Sequence, residues 1–341
     1  MLIACLLLVA TTAGCTSPPP AAESVDSGRL RVVATVGMVG DLVRRIGGDH
    51  VSVTQLMGPG VDPHLYRATR DDIRSLMTAD IVFYSGLMLE GRMTDTLQAI
   101  SDRQNVIAIT GDMPQDRLLS PEDSQGHHDP HVWMDVELWS LGLDSITQAL
   151  AAAQPQNASE FEERANVLRA ELNLLHQYGR DSISTIPSES RVLITSHDAF
   201  NYFGRAYDLQ VMGIQGLSTE SEAGLQRINE LVDLLVERQI QAVFIESSVS
   251  PRNIEALIEG AAARGHQVVI GGELYSDAMG AADTWEGTYV GMLDHNISLV
   301  TTALGGTVPQ GGFRSVLKAS HQQNQESDAE VTSSAERDTS R

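Results

Sequence analysis

Ser159-Glu160-Phe161-Glu162-Glu163-Arg164-Ala165-Asn166-Val167-Leu168-Arg169-Ala170-Glu171-Leu172-Asn173-Leu174-Leu175 opens a run that reads as one long helix, residues 159–186. Phe161, Ala165, Leu168, Leu172 and Leu175 recur at spacings of three and four, so they share one apolar face. Ser159 and Glu162 have the spacing of a capping box, and Pro187 stops the run. At about 1.5 Å per residue such a helix spans about 40 Å, more than a crossover beside one sheet needs. It is long enough to run past one lobe and start a second.

The same alternation of elements stands on both sides of it. Before it, residues 30–36, 51–57, 81–84 and 105–110 read as strands, with helices over 37–47 and 69–79. A further helix runs from Asp135 through Leu138, Leu141, Ile146 and Leu150, until Pro155-Gln156 interrupts it. After it, strands are expected at 191–196, 209–214, 242–246 and 267–271, with helices over 222–239, 251–264 and 289–304. Strands alternating with helices at this spacing predict an α/β fold: mostly parallel sheet with helices on its faces. The expected division is 29–155, a linking helix over 156–187, and 188–312. Residues 313–341 read as a disordered acidic tail, with almost nothing apolar from His321 onward.

The composition is that of a globular protein: 341 residues, 42% hydrophobic and 20% charged. A formal net charge of −22 argues against nucleic acid and anionic membrane surfaces as partners. The two cysteines, Cys5 and Cys15, lie in the first fifteen residues, so the body has no disulfide or cysteine metal site. Leu2 to Ala10 is an apolar run of signal-peptide length, too short to span a membrane. Thr12-Ala13-Gly14-Cys15 looks like a bacterial lipobox, in which the cysteine is lipidated and becomes the mature N-terminus. Thr12 stands where leucine is usual, and no Lys or Arg precedes the apolar run. The expectation is a lipoprotein signal over 1–14 and a Pro/Ala/Ser-rich tether over 15–28, with a plain secretory signal as the alternative.

The chemistry centres on a tripeptide that occurs twice. Asp62-Pro63-His64 follows a Gly58-Pro59-Gly60 break, and Asp129-Pro130-His131 opens the stretch Val132-Trp133-Met134-Asp135. Histidine is the commonest side-chain metal ligand, and a preceding proline narrows how it is presented. Such an aspartate could orient the imidazole, which sequence alone does not show. In open α/β sheets, ligands bind beyond the carboxyl ends of strands. His64 follows the second strand, Ser196-His197-Asp198 comes off the strand at 192–195, and Asp277 follows the strand before Gly271-Gly272. His64 and His131 precede the long helix, and His197 and Asp277 follow it. Three imidazoles and a carboxylate converging in a cleft between lobes would hold a divalent transition metal.

Gly58 to Tyr66, Asp129 to Asp135, Ser196-His197-Asp198-Ala199-Phe200 and Gly272-Glu273-Leu274-Tyr275-Ser276-Asp277 together resemble the metal-binding lipoproteins of bacterial zinc and manganese ABC importers, the cluster A-I or TroA-like family. Gly213 to Glu220 adds to the likeness, which covers roughly residues 30–310. The resemblance implies two α/β lobes joined by one long rigid helix, with the metal in the cleft between them. It implies His64, His131, His197 and Asp277 as ligands, with Glu273 the nearby carboxylate to be told apart from Asp277. It further implies a partner permease and cytoplasmic ATPase, a membrane reached through a lipid anchor on Cys15, and an extracytoplasmic, non-enzymatic monomer. Some manganese-binding relatives carry glutamate where His197 stands. Zinc-specific relatives often carry a long His-rich loop, where this chain has only His127 and His128. The expected cargo is Mn²⁺, with Zn²⁺ bound as well.

Other readings stand beside these. Glu246 and Arg205 are read as salt-bridge or capping residues with possible contact to a ligand, and Trp133 as packing between lobes. His50, His176, His266, His295 and His321 have no motif around them and read as structural or surface residues. Ser196-His197-Asp198 is no catalytic triad, because triad members converge in space rather than along the chain. A metal-dependent hydrolase and a surface adhesin are the competing functions. Catalytic zinc keeps three protein ligands and an open position, so four protein ligands favour carriage. A long helix between lobes predicts only modest hinge movement.

Overall fold

The computed structural model describes residues 28–121 and 126–323. The expected signal over 1–14, Cys15, the expected tether up to residue 27, and residues 324–341 lie outside the described residues. Among the described residues no helix is long and apolar enough to cross a membrane.

The first lobe runs β1 (Leu30–Ala34), α1 (Gly37–Gly47), β2 (Val51–Gln55), α2 (Arg70–Thr78), β3 (Ile81–Tyr84), α3 (Thr94–Ser101) and β4 (Asn105–Ala108). Its strands form one parallel sheet in the order β2-β1-β3-β4, with Val32 opposite Val53 and Ile81, and Phe83 opposite Ile107. Ile81, Val82 and Phe83 are buried, as befits a parallel strand covered on both faces. Helix α1 buries Val39, Leu42, Val43 and Ile46, the face its periodicity predicts. Thr69 and Asp72 close a capping box on α2. Helix α3 has no counterpart in the expected elements; its eight residues turn only Leu97 and Ile100 inward, too few to show a period.

The single helix expected after Asp135 is two, α4 (Val136–Trp139) and α5 (Gly142–Ala153). The long helix α6 (Ala158–Ile183) buries Phe161, Ala165, Leu168, Leu172 and Leu175 along its whole length. Fully burying one such leucine contributes about 1.5–3 kcal/mol. The expected capping box is absent: the helix begins one residue before Ser159, and the cap position is Asn157, whose side chain makes no capping bond.

The second lobe runs β5 (Val192–His197), α7 (Asn201–Tyr207), β6 (Gln210–Gln215), α8 (Leu225–Glu237), β7 (Ala242–Glu246), α9 (Arg252–Ala263), β8 (Val269–Leu274) and α10 (Tyr289–Ala303). Its strands pair in parallel as β5-β6 and β7-β8, and β5 lies against β7. Residues 312–323 form an eleventh helix among the described residues, α11, which takes in the start of the tail expected to be disordered from residue 313. Phe313 explains it: the ring is buried against Tyr178 of α6, and its N–H donates to Asp294 Oδ1 at 2.9 Å.

The hydrophobic core does not divide at α6. One cluster joins the first sheet and α1 to α6, α7 and α10, through Leu42, Trp139, Leu172, Phe203 and Leu293 among others. A smaller one, including Ile194, Leu231, Val243 and Leu257, lies between the second lobe's strands and its outer helices α8 and α9. Both lobes are therefore built onto a common slab that includes α6, an arrangement suited to small relative movement.

Candidate metal centre

Parallel strands end at one side of their sheet, and that geometry delivers the functional side chains. His64 lies in the loop after β2, where Gly60 takes a positive φ of 69°. Both Asp-Pro-His tripeptides fold as the same turn. The His64 N–H donates to Asp62 Oδ1 at 2.8 Å, and the His131 N–H donates to Asp129 Oδ1 at 2.9 Å. An Asx turn of this kind uses the proline to set the middle φ and the aspartate to close the ring.

The side chains then part company. Asp129 Oδ1 also meets His131 Nδ1 at 2.7 Å, and Asp129 Oδ2 accepts from Asn201 at 3.1 Å. Asp62 Oδ2 instead accepts from Thr219 Oγ1 of the second lobe at 2.5 Å. Among the described residues nothing hydrogen-bonds to His64 Nδ1.

His197 ends β5, and Glu246, the last residue of β7, holds it twice. The His197 N–H donates to Oε1 at 2.8 Å, and Nδ1 meets Oε2 at 2.5 Å. Glu246 thus orients an imidazole and is not one of the converging groups. Gly213 on β6 makes room for this strand end, since a Cβ there would lie 2.6 Å from the Asp198 nitrogen. Asp277 follows β8, and Trp133 Nε1 donates to the neighbouring Ser276 carbonyl at 2.9 Å. Trp133 packs between the lobes and also sets its ring edge-on to His131 at 5.2 Å.

The donor atoms of His64, His131, His197 and Asp277 all lie within 4.8 Å of one another, and all four residues are buried. The Nε2 atoms of His64 and His131 are 3.3 Å apart. Asp277 Oδ2 lies 3.3 Å from His197 Nε2 and 3.8 Å from His64 Nε2, and Oδ1 lies 3.5 Å from His131 Nε2. Neither Asp277 oxygen has a hydrogen bond, although the carboxylate is buried. A buried charge left this way is costly unless a cation or a set of donors faces it. Glu273, by contrast, is exposed on β8 and lies outside the cluster.

Ionisation follows from the packing. Burial pushes the His64 imidazole down to about 3, so it is neutral near pH 7. Burial also opposes charge on His197, but the carboxylates of Glu246 and Asp277 overcome this and raise it well above its ordinary value. Burial pushes Asp277 up, yet the positive charge favoured on His197, followed by that of His131 and His64, holds it below the usual carboxylate range.

The remaining candidates stand apart. His127 is exposed, and His128 bonds Ser120 at 2.8 Å and Gln115 at 3.0 Å; both line a cavity of about 310 Å³ that opens onto His64. Arg205 pairs with Asp135, which caps α4, and not with a converging carboxylate. His50, His266 and His295 bond side chains or carbonyls elsewhere in the fold.

Two parallel-sheet lobes built on one long helix, with imidazoles and a carboxylate buried between them, define a bilobal α/β binding protein. The chain belongs to the family described as zinc-uptake complex component A, periplasmic (ZnuA), which matches residues 32–303. It is 50% identical over 284 residues to the manganese-binding lipoprotein MntA of Bacillus subtilis (strain 168), covering 83% of this chain and 92% of that protein. It is 43% identical over 301 residues to the zinc-binding protein TroA of Treponema pallidum (strain Nichols), covering 88% and 97%. The solved structure of periplasmic TroA from Treponema pallidum superposes with a TM-score of 0.79 at 45% identity, covering 81% of this chain and 99% of that one.

Proposed function

We propose that the protein captures a divalent transition metal, Mn²⁺ or Zn²⁺, between its lobes and delivers it to the permease of an ABC importer driven by a cytoplasmic ATPase. His64, His131 and His197 donate Nε2, and Asp277 donates its carboxylate. The observation that carries this reading is the buried Asp277 carboxylate, without a hydrogen bond, facing three imidazole nitrogens. A tetrahedral ion about 2.0–2.1 Å from each donor spaces the donors about 3.3 Å apart. Four separations in the cluster, 3.3, 3.3, 3.5 and 3.8 Å, are near that spacing, and all the donors lie within 4.8 Å of one another. Both Asp277 oxygens face the imidazoles, so the same residues offer a fifth donor to Mn²⁺, which favours carboxylate oxygen.

Capture proceeds by exchange of charge. The empty site holds a His197 imidazolium against the Asp277 carboxylate. The arriving cation takes the carboxylate and displaces the proton from Nε2, while Glu246 keeps Nδ1 occupied and the ring in place. With the site filled by protein donors, no open position remains for an activated water, and carriage is favoured over hydrolysis. The names of relatives that are lipoproteins support an extracytoplasmic chain held to the membrane by lipid on Cys15. Both halves of the cage come from one chain, which supports a monomer as the working unit.

The test is metal binding to the purified, metal-free protein at controlled free Mn²⁺ and Zn²⁺. One tight equivalent per chain is expected, and the ratio of the two affinities ranks the metals. Absence of stoichiometric binding contradicts the proposal.

A further inference from the structure

We infer that Thr219, with Glu220 beside it, forms a latch that positions His64 from across the cleft and sets how fast the bound cation leaves. This inference rests on the metal-carrier reading above.

The loop after β6 carries two consecutive residues that reach the first lobe on either side of His64. Thr219 Oγ1 donates to Asp62 Oδ2 at 2.5 Å, and the other oxygen of that carboxylate accepts the His64 N–H at 2.8 Å. Glu220 Oε1 accepts from Arg92 Nε at 2.7 Å, and Arg92 also reaches the Leu65 carbonyl at 3.5 Å. Asp62, two residues before His64, is thus tied directly to the opposite lobe, and Leu65, one residue after it, only through Arg92.

His64 is the imidazole that needs such a tie. Carboxylates hold Nδ1 of His131 and of His197 within their own surroundings. Nothing among the described residues holds Nδ1 of His64, so its ring follows its backbone. It is 4% exposed where His131 and His197 are at 0%, and it forms part of the wall of the cavity that Leu217 and Ser218 of the same loop also line. Moving the loop away releases Asp62, loosens the Asx turn and withdraws one ligand at the open side of the cage. Closing it restores the ligand. A site that must bind tightly and then give up its cargo gains one removable ligand without disturbing the other three.

The two ties differ in weight. The Thr219 bond goes to a half-buried carboxylate, and losing it is expected to speed dissociation about tenfold. The Arg92–Glu220 pair is 33% and 50% exposed, and losing it is expected to change the rate about twofold.

The experiment loads the protein with Zn²⁺ or Mn²⁺, mixes it with excess EDTA and follows metal loss by stopped flow. Thr219→Val is expected to lose metal about tenfold faster than the unmodified protein, at unchanged stoichiometry, and Thr219→Ser to restore the slow rate. Tyr66→Phe is the control: it removes a hydrogen bond to Asp72 from the same loop, but one that stays within the first lobe, and it is expected to leave the rate unchanged. Thr219→Val at the original rate, Thr219→Ser as fast as Thr219→Val, or Tyr66→Phe as fast as either overturns the latch. Should Thr219→Val not fold, Arg92→Met reads the other tie: a twofold acceleration supports the latch and no change overturns it. Stoichiometric metal on the unmodified protein with no response in the variants overturns the latch alone. No metal on the unmodified protein overturns the carrier reading as well.

Discussion

Asp62-Pro63-His64 and Asp129-Pro130-His131 are the same three residues doing different work. Both close the same Asx turn, and both aim Nε2 at the same point. At the second tripeptide the aspartate also grips the ring, lies wholly buried and is braced by Asn201. At the first it turns its free oxygen to the other lobe. The difference is one of surroundings. Asp129 sits in the slab that joins the lobes, beneath Tyr202, whose hydroxyl donates to its carbonyl at 3.0 Å. Asp62 sits in a loop at the mouth of the cleft. One tripeptide builds a fixed ligand, and the other a ligand whose position depends on whether the lobes are closed.

The comparison breaks most severely if the two histidines prove equivalent. Replacing His131 with alanine is expected to abolish stoichiometric binding, a loss well beyond the roughly 100-fold that follows loss of an orienting partner. His64→Ala is expected to retain weak binding by three remaining donors, with the loss appearing chiefly as faster dissociation. Isothermal titration and chelator competition on each variant measure this, and equal losses would sink the distinction.

The aspartates sharpen it at smaller amplitude. Asp129→Asn is expected to weaken binding about 10–100-fold, because it disturbs the ring of a buried ligand. Asp62→Asn keeps the turn and weakens the tie to Thr219, with an expected loss of about tenfold carried by the off-rate. Affinities and rates from the same chelator chase test both.

Proton competition gives the next effect in size. His197 carries a raised affinity for its proton in the empty site, so binding near neutral pH displaces about one proton per metal. The sign follows: lower pH favours the protonated, empty site, and affinity falls about tenfold per unit as pH drops from 7 to 5. His64, held down to about 3, adds nothing to that slope in the same range. Titrations in buffers of different ionisation enthalpy count the protons, and a flat affinity across this range contradicts the assignment.

The smallest expected effect is at Arg205, which ties Asp135, four residues after His131, to α7. Arg205→Met is expected to change metal affinity less than about threefold and to cost at most about 1 kcal/mol, since the guanidinium is 35% exposed. Thermal melts with and without metal separate the two.

Much of this was legible in the chain. The three-and-four spacing from Phe161 to Leu175 marks the face of α6 that is buried, and strand followed by helix marks the parallel sheets. The four converging residues are legible through their motifs and their positions beyond strand ends. What was not legible is pairing across distance. Glu246 lies 49 residues from His197 and Thr219 lies 157 from Asp62, and no local pattern reports either contact. The twofold use of Asp-Pro-His also hides its asymmetry, because identical residues acquire different partners only after folding. The eleventh helix had a local signal: Phe313, Val316 and Leu317 stand at helical spacing, but the polar run after them outweighed it. Helix ends were read less well than helix faces, as at Ser159, because one turn of backbone decides a cap and several turns decide a face.

Both lobes contribute to one cage, and the structure of the metal-loaded protein tests this most directly. Anomalous scattering from crystals soaked with Mn²⁺ or Zn²⁺ is expected to give one peak within about 2.0–2.3 Å of Nε2 of His64, His131 and His197 and of the Asp277 carboxylate. A peak elsewhere, or one ligated by residues of a single lobe, would contradict it.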